Sequence, residues 1–321
     1  MRVAGVQRRG FGSIACACGA LLGTAREISL PDPPADRQIL HRRVRRKPAI
    51  SPHPRLNMAQ VQSTTFRSSK ENVPLVRLDF NPETRIWVLF LLGEQTPDNR
   101  LTHALILEGI IPALQQVKDK WLEWVEKDDI DEGAALVTSS LPTNRIFSNG
   151  LDLFAAIADP NFFKDVLDRM FHAFLTFPIP TVASLGGHAF AGGYTLACAH
   201  DYRVQNGKKG YVCMNEIEFG APIPEGMMAT LRSVVPDNNV MRKVVLEGHR
   251  FSAGEALRHG LVDFISEGEG YEGPEGTLRR SVELAMQLRS RCAKNGFESN
   301  KRVIYKDLLA ALNQPDRQSK L

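Results

Sequence analysis

The chain is poor in cysteine, in tryptophan and tyrosine, and in long hydrophobic runs. Its five cysteines, Cys16, Cys18, Cys198, Cys213 and Cys292, are spread over 321 residues. They are too few and too scattered for a disulfide framework, and no CxxC or Cys/His spacing suggests zinc. Reduced, structural thiols are expected, and no metal. No apolar stretch approaches the ~20 residues that span a bilayer. The short run CACGALLG is also too brief for a secretory signal. Ser184 lacks the GxSxG elbow of the hydrolases, and the glycine-rich strings lack a dinucleotide fingerprint, so no nicotinamide cofactor is implied.

A strong excess of charge of one sign is missing from most of the chain. Residues 1–57 carry 11 Arg and Lys against 3 acids, and the remainder carries 29 against 33. A basic head on a slightly acidic body does not support nucleic-acid binding by the whole protein. The head is rich in Arg and Pro and has no sustained hydrophobic periodicity. Residues 1–71 are therefore expected to form a disordered basic extension, with 72–313 one domain and 314–321 an exposed tail. Met58, followed by Ala59, is an alternative start. An Arg-rich, acid-poor head is also the composition of a mitochondrial presequence, although the proline-ended cluster HRRVRRKP is no amphipathic helix. The chain ends in Ser319-Lys320-Leu321, the peroxisomal import address. Peroxisomal location and an import receptor as partner are expected, with the mitochondrion as the alternative.

Apolar periodicity gives the coarse organisation. Short apolar runs predict strands at Ile86–Leu92, Ala134–Ser139, Thr181–Leu185, Asp201–Val204 and Leu261–Ile265. Spacings of three and four predict helices at Ala104–Trp124 and Asn161–Thr176, the second with a stripe of Phe163, Val166, Leu167, Met170, Phe171 and Phe174. A helix of small residues is expected at Ala191–Ala199. Ser252 and Glu255 form a capping box. Two further helices are expected near Thr277–Lys294 and Glu298–Leu312. Strands alternating with helices imply an α/β fold around a parallel sheet buried on both faces.

The stretch from Phe177 to Gly226 is the most informative. It reads as a buried strand, a glycine-rich turn, a small-residue helix, a strand and a loop bearing carboxylates. Gly192-Gly193 stands where a helix begins, and glycine there lets backbone N–H groups approach a ligand. Glu216 follows Gly192 by 24 residues. Amides converging with one carboxylate suit a reaction that makes an oxyanion by moving a proton. Taken singly, Asn149-Gly150 is an ordinary turn, Gly192-Gly193 is tight helix packing, and the loop acids are solvated.

Four patterns together resemble the crotonase superfamily, the enoyl-CoA hydratase/isomerase family. They are PDNRLT (97–102), FSNGLDL (147–153), PTVASLGGHAFAGGYTLACAHDYRV (180–204) and FSAGEALRHGLVDFI (251–265). Within the family the likeness is nearest to the enoyl-CoA delta isomerases. The resemblance implies a crotonase-like ββα spiral with C-terminal helices that support trimerisation, and hence a homotrimer or hexamer. It implies an acyl-CoA thioester substrate and no cofactor beyond the CoA it carries. The implied reaction converts 3-enoyl-CoA to trans-2-enoyl-CoA, as in peroxisomal beta-oxidation of unsaturated fatty acids or a specialised acyl-CoA pathway.

By the same resemblance the oxyanion donors are the N–H groups of Leu151 and Gly192, 41 residues apart. Hydratases of this family use two glutamates. Thr195 stands at the first of those positions, and its hydroxyl does not titrate near neutral pH. The second aligns with Glu216, and keeping that one alone is the isomerase pattern. Glu225, in a PEG string resembling another isomerase subgroup, and Glu218 remain competing bases. Phe154, Phe190 and Met227, with Leu151, are expected to line the acyl pocket, and Lys301 and Arg302 to meet the nucleotide end of CoA. His188 and His200 read as structural. Two other functions stay open: a hydratase or other crotonase reaction, and a crotonase-fold binding or scaffold protein without turnover.

Overall fold

The computed structural model describes residues 61–312 except 236 and 295. The alternative start at Met58, the rest of the head before residue 61 and the tail with Ser319, Lys320 and Leu321 lie outside the described residues. The strands are β1 (Gln62–Arg67), β2 (Pro74–Asn81), β3 (Ile86–Leu91), β4 (Ala135–Ser140), β5 (Ile146–Ser148), β6 (Thr181–Leu185), β7 (His188–Phe190), β8 (Tyr202–Asn206), β9 (Val212–Cys213) and β10 (Phe264–Ser266). Seven form one sheet in the order β1-β2-β3-β4-β6-β8-β10, and three form a small sheet, β5-β7-β9.

From β4 onward the chain repeats one move. β4, β6 and β8 each enter the large sheet, and the strand after each, β5, β7 and β9, enters the small one. Helices close each repeat. After β5 come α2 (Leu153–Ala158) and a π-helical turn, Phe162–Leu167, that runs into α3 (Asp168–Leu175). After β7 comes α4 (Gly192–Cys198). After β9 come a 3₁₀ turn, Glu216–Phe219, and α5 (Glu225–Arg232). This is the ββα spiral that the resemblance implied. The pairing is parallel within the small sheet and from β3 to β10 in the large one.

Burial explains why these segments form strands. Every residue of β4 and β6 is buried, as expected of strands covered on both faces. Leu136 and Ala183 face a core shared with α1 (Ile111–Glu126), which brings Leu114, Val117 and Trp121. Val137, Val182 and Val204 face the other way, onto Val282 and Ala285 of α8 (Gly273–Leu288). The predicted helix at Ala104–Trp124 is a π-helical turn, Leu105–Ile110, followed by α1. The predicted capping box opens α7 (Ala253–Arg258). The predicted last helix breaks at Tyr305 into α9 (Phe297–Ile304) and α10 (Lys306–Ala311).

Two expectations are corrected. The large sheet is not wholly parallel, because β1, β2 and β3 form an antiparallel meander at its edge. The domain also begins before residue 72, because Gln62–Arg67 pairs with β2 over its whole length. β1 escaped notice because QSTTFR is mostly polar and mostly exposed, as edge strands are.

Strand β1 covers the backbone edge of β2. A chain beginning at Met58 is therefore expected to fold and melt like the full chain. One beginning at Asn72 should melt several degrees lower, since each lost kcal/mol costs about 2–4 °C in a domain of this size. Calorimetry on the two truncations checks this; equal melting temperatures would make β1 dispensable.

Candidate active site

The three strands of the small sheet run parallel and end on the same side. Neighbouring strands lie about 4.8 Å apart, so the loops that leave their ends are brought close together. β5 leads into Asn149-Gly150-Leu151, β7 into Ala191-Gly192, and β9 into Met214-Asn215-Glu216. The three loops thus meet because of one sheet.

The first loop is held by the PDNRLT segment. Asn99 Nδ2 donates to the carbonyls of Ile146 and Phe147, and the Ser148 hydroxyl donates to the Asn99 carbonyl at 2.8 Å. The Leu101 N–H donates to the Gly150 carbonyl at 2.7 Å, and the Asn149 N–H to the Asp98 carbonyl at 2.9 Å. Gly150 has φ +88°, and a Cβ there would lie 2.8 Å from the Ala191 Cβ and 3.1 Å from the Gly192 nitrogen. The first and second loops therefore touch, backbone to backbone, at a position that only glycine fits.

The second loop carries strain. Ala191 has φ +52° and ψ −129°, a conformation that favours glycine, and its N–H donates to the Cys213 carbonyl at 2.8 Å. The turn opens α4 with Gly192 as its first residue. A Cβ on Gly192 would meet the Leu151 side chain at 2.9 Å, and one on Gly193 would meet the Ser148 carbonyl at 2.3 Å. Neither the Leu151 N–H nor the Gly192 N–H has an acceptor among the described residues.

These loops border a cavity of about 170 Å³. Leu151, Leu153, Phe163, Phe219, Pro222 and Met227 make its apolar wall, and Arg100, Asn149, Asn215 and Glu216 its polar wall. Glu216 is the one carboxylate lining it among the described residues. It is 6 % exposed, and its Oε2 has no hydrogen-bond partner. Burial pushes its carboxyl from the ordinary 4.5 to about 7, against a smaller lowering by its own backbone N–H. A carboxyl so placed can both take up and give back a proton near neutral pH. Thr195 is fully buried, and its hydroxyl faces the Ala191 carbonyl and Met214 Sδ at 3.4 and 3.7 Å. No second carboxylate replaces it at that position.

The structure brings together Leu151, Glu216 and Met227 from the expected set, with Gly192 at the cavity edge beside Ala191. It sets the others apart. Glu225 is exposed at the start of α5 and does not line the cavity. It faces Asp168, whose carboxyl burial and then the Glu225 charge push up to about 7. Gly226 is required there, since a Cβ would come within 2.0 Å of Asp168 Oδ1. Glu218 is exposed and pairs with Arg250 at 3.5 Å.

The expected binding residues need correction. Phe154 is 85 % exposed on α2, facing solvent instead of the cavity. Phe190 lies outside the cavity lining, with the Arg250 guanidinium 5.7 Å from its ring centre. Lys301 is 4 % exposed, and its ammonium pairs with Asp201 at 2.8 Å and donates to the Phe174 carbonyl at 3.0 Å. Asp201 in turn accepts from the Thr181 N–H and hydroxyl, so Lys301 anchors α9 to the sheet. Arg302 pairs with Glu298 and lies beside a different cavity.

His200 is structural, as expected. Its ring nitrogens meet the Leu196 carbonyl and the Thr138 hydroxyl, and burial holds it neutral, with its pKa lowered to about 3. Cys198, Cys213 and Cys292 are free and buried. No cluster of three or more His, Cys, Asp or Glu able to hold a metal occurs among the described residues. Sequence reasoning missed Arg100 and Asn215, which carry no periodic signal. Phe163, expected in a core stripe, does pack against the core and in addition lines the cavity.

Comparison with known proteins agrees with the family resemblance read from the sequence. A profile of the family described as enoyl-CoA hydratase/isomerase matches residues 121–272. Enoyl-CoA delta isomerase 3 of Arabidopsis thaliana is 28 % identical over 207 residues, covering 62 % of this chain and 81 % of that protein. Enoyl-CoA delta isomerase 2, peroxisomal, of the same plant is 27 % identical over 239 residues, covering 71 % and 93 %. The fold is similar to that of an enoyl-CoA hydratase/isomerase family protein from Pseudomonas syringae. That likeness has a TM-score of 0.61 and 20 % identity over 74 % of this chain and 94 % of the other.

The burial of Glu216 has a stability consequence. Its pKa is higher folded than unfolded, so the folded chain binds the proton more tightly between about 4.5 and 7. Stability from this group is fully present below 4.5 and lost as pH rises through 7. Glu216→Gln is therefore expected to be more stable than the parent at pH 8, by up to roughly 3 kcal/mol. The gap should close below pH 4.5. Urea unfolding of both proteins across pH checks this, and a variant less stable at pH 8 would contradict it.

Proposed function

Because this chain belongs to the crotonase superfamily of enoyl-CoA hydratases and isomerases, we propose that it converts 3-enoyl-CoA to trans-2-enoyl-CoA. The observation that carries the reading is a single buried carboxylate, Glu216, beside two backbone N–H groups without acceptors. In this reading the thioester oxygen accepts from the N–H groups of Leu151 and Gly192. Glu216 removes a proton from the alpha carbon, and the electron pair delocalises onto the thioester oxygen as a dienolate. The Glu216 carboxylic acid then protonates the gamma carbon, and the double bond moves into conjugation. The proton that leaves one carbon returns to another, so no oxidant, metal or water is consumed.

Thr195 supports isomerisation over hydration. Adding water needs a second group to activate it, and the threonine hydroxyl at that position is committed inside α4. Efficient formation of 3-hydroxyacyl-CoA without isomerisation would favour the hydratase reading. No turnover of any thioester would favour an acyl-CoA-binding or scaffold role. The reading includes self-association to a homotrimer or hexamer, which the exposed Val303 and Ile304 of α9 support. It also includes peroxisomal location, supported by the terminal Ser319-Lys320-Leu321 and by the name of one relative.

Two experiments test this. Purified protein is expected to isomerise 3-enoyl-CoA without added metal or cofactor. Glu216→Gln should lower kcat roughly 10²–10⁴-fold while the thioester still binds, and Glu225→Gln should leave kcat within about twofold, since removing an exposed charge changes little. The reverse pattern would move the base to Glu225. In cells, removing Ser319 to Leu321 should leave the protein cytosolic. Mitochondrial import of the intact chain would instead assign the address to residues 1–57.

A further inference from the structure

A second cavity, also about 170 Å³, lies among α1, α3 and α9, away from Glu216. Phe163 of the helix that ends as α3 lines the first cavity, and His172 of the same helix lines the second. Nine residues of helix separate them by about 13 Å. Four cationic or protonatable side chains border the second cavity: Lys118 from α1, Arg169 and His172 from α3, and Arg302 from α9. No carboxylate lines it among the described residues. Lys118 and Arg169 have no hydrogen-bond or ion-pair partner among the described residues.

The surroundings are prepared for an anion. The end of α3 would present carbonyl oxygens that repel one. Two of these are already occupied: His172 O accepts from the Thr176 hydroxyl at 2.8 Å, and Phe174 O from the Lys301 ammonium at 3.0 Å. The buried Lys301–Asp201 pair fixes α9, and so fixes where the next residue, Arg302, stands. Lys118 and Arg169 come from two separate helices, and Arg302, already paired with Glu298 at 2.8 Å, from a third; cations so spread suit an anion with several oxygen faces. Guanidinium groups match phosphate oxygens in pairs. The volume is several times the ~30 Å³ share of one water molecule.

We propose that this cavity is a binding site for a phosphate group, with Lys118 and Arg169 as its two uncommitted cations and Arg302 and His172 completing it. The site does not depend on the isomerase reading. Its phosphate has two possible sources: the nucleotide end of a CoA thioester, or a free phosphate-bearing effector.

Titration calorimetry with inorganic phosphate and with adenosine 3′,5′-bisphosphate tests the proposal. The parent chain is expected to bind at least one of them. The double variant Lys118→Gln/Arg169→Gln should bind it at least about tenfold more weakly, since a charge-assisted hydrogen bond commonly contributes that much. If the double variant does not fold, each single substitution should still weaken binding severalfold. No binding to the parent, or equal binding to parent and variants, overturns the site. KM for an acyl-CoA then assigns the source. A rise in the variants in step with lost phosphate binding identifies the nucleotide end of the substrate. An unchanged KM with lost phosphate binding identifies a free effector.

Discussion

The parallel register of β5, β7 and β9 is the constraint on which the site depends. These strands are two or three residues long, too short to be stable alone. They persist because each is the second strand of a spiral repeat whose first strand, β4, β6 or β8, is locked in the large sheet. The spiral therefore delivers three loops to one place from segments far apart in sequence. Gly150, Gly192 and Gly193 are the local conditions for that closeness, since a side chain at any of them would push the loops apart.

The same region departs from what stability favours. Ala191 takes a backbone conformation that L side chains rarely adopt, and Glu216 keeps a carboxyl oxygen buried without a partner. A buried acid without a cation is costly in its charged form. That cost is what brings its pKa to the range in which it can accept and return a proton. The buried cations are matched: Lys301 with Asp201, and Arg203 with Asp263 at 2.7 Å. Among the described residues two buried acids lack a cation, Glu216 in the cavity and Asp168 beneath Glu225, and only Glu216 lines the cavity.

Much of this was legible in the sequence. β3, β4, β6 and α3 announced themselves through continuous apolar runs or a clean stripe, because each is buried by the residues it carries. β1 did not, because an edge strand takes its order from its neighbour. The small sheet did not, because two- and three-residue strands have no period to read. Among the site residues, Glu216 and the glycines were marked by motif and spacing. Lys301 was misread because a lysine on a helix looks alike in sequence whether it faces solvent or a buried aspartate. Arg100 stood inside the PDNRLT pattern with no role assigned, since only the Asp98–Arg100 loop folding onto β5 brings it to the cavity.

The most direct measurement of the central claim tracks the proton itself. In 3-enoyl-CoA labelled with deuterium at the alpha carbon, a single enclosed carboxyl that serves both carbons should carry part of the label to the gamma carbon. That transfer should vanish in Glu216→Gln. Complete loss of the label to solvent in the parent, or undiminished transfer in the variant, would contradict a mechanism built on Glu216.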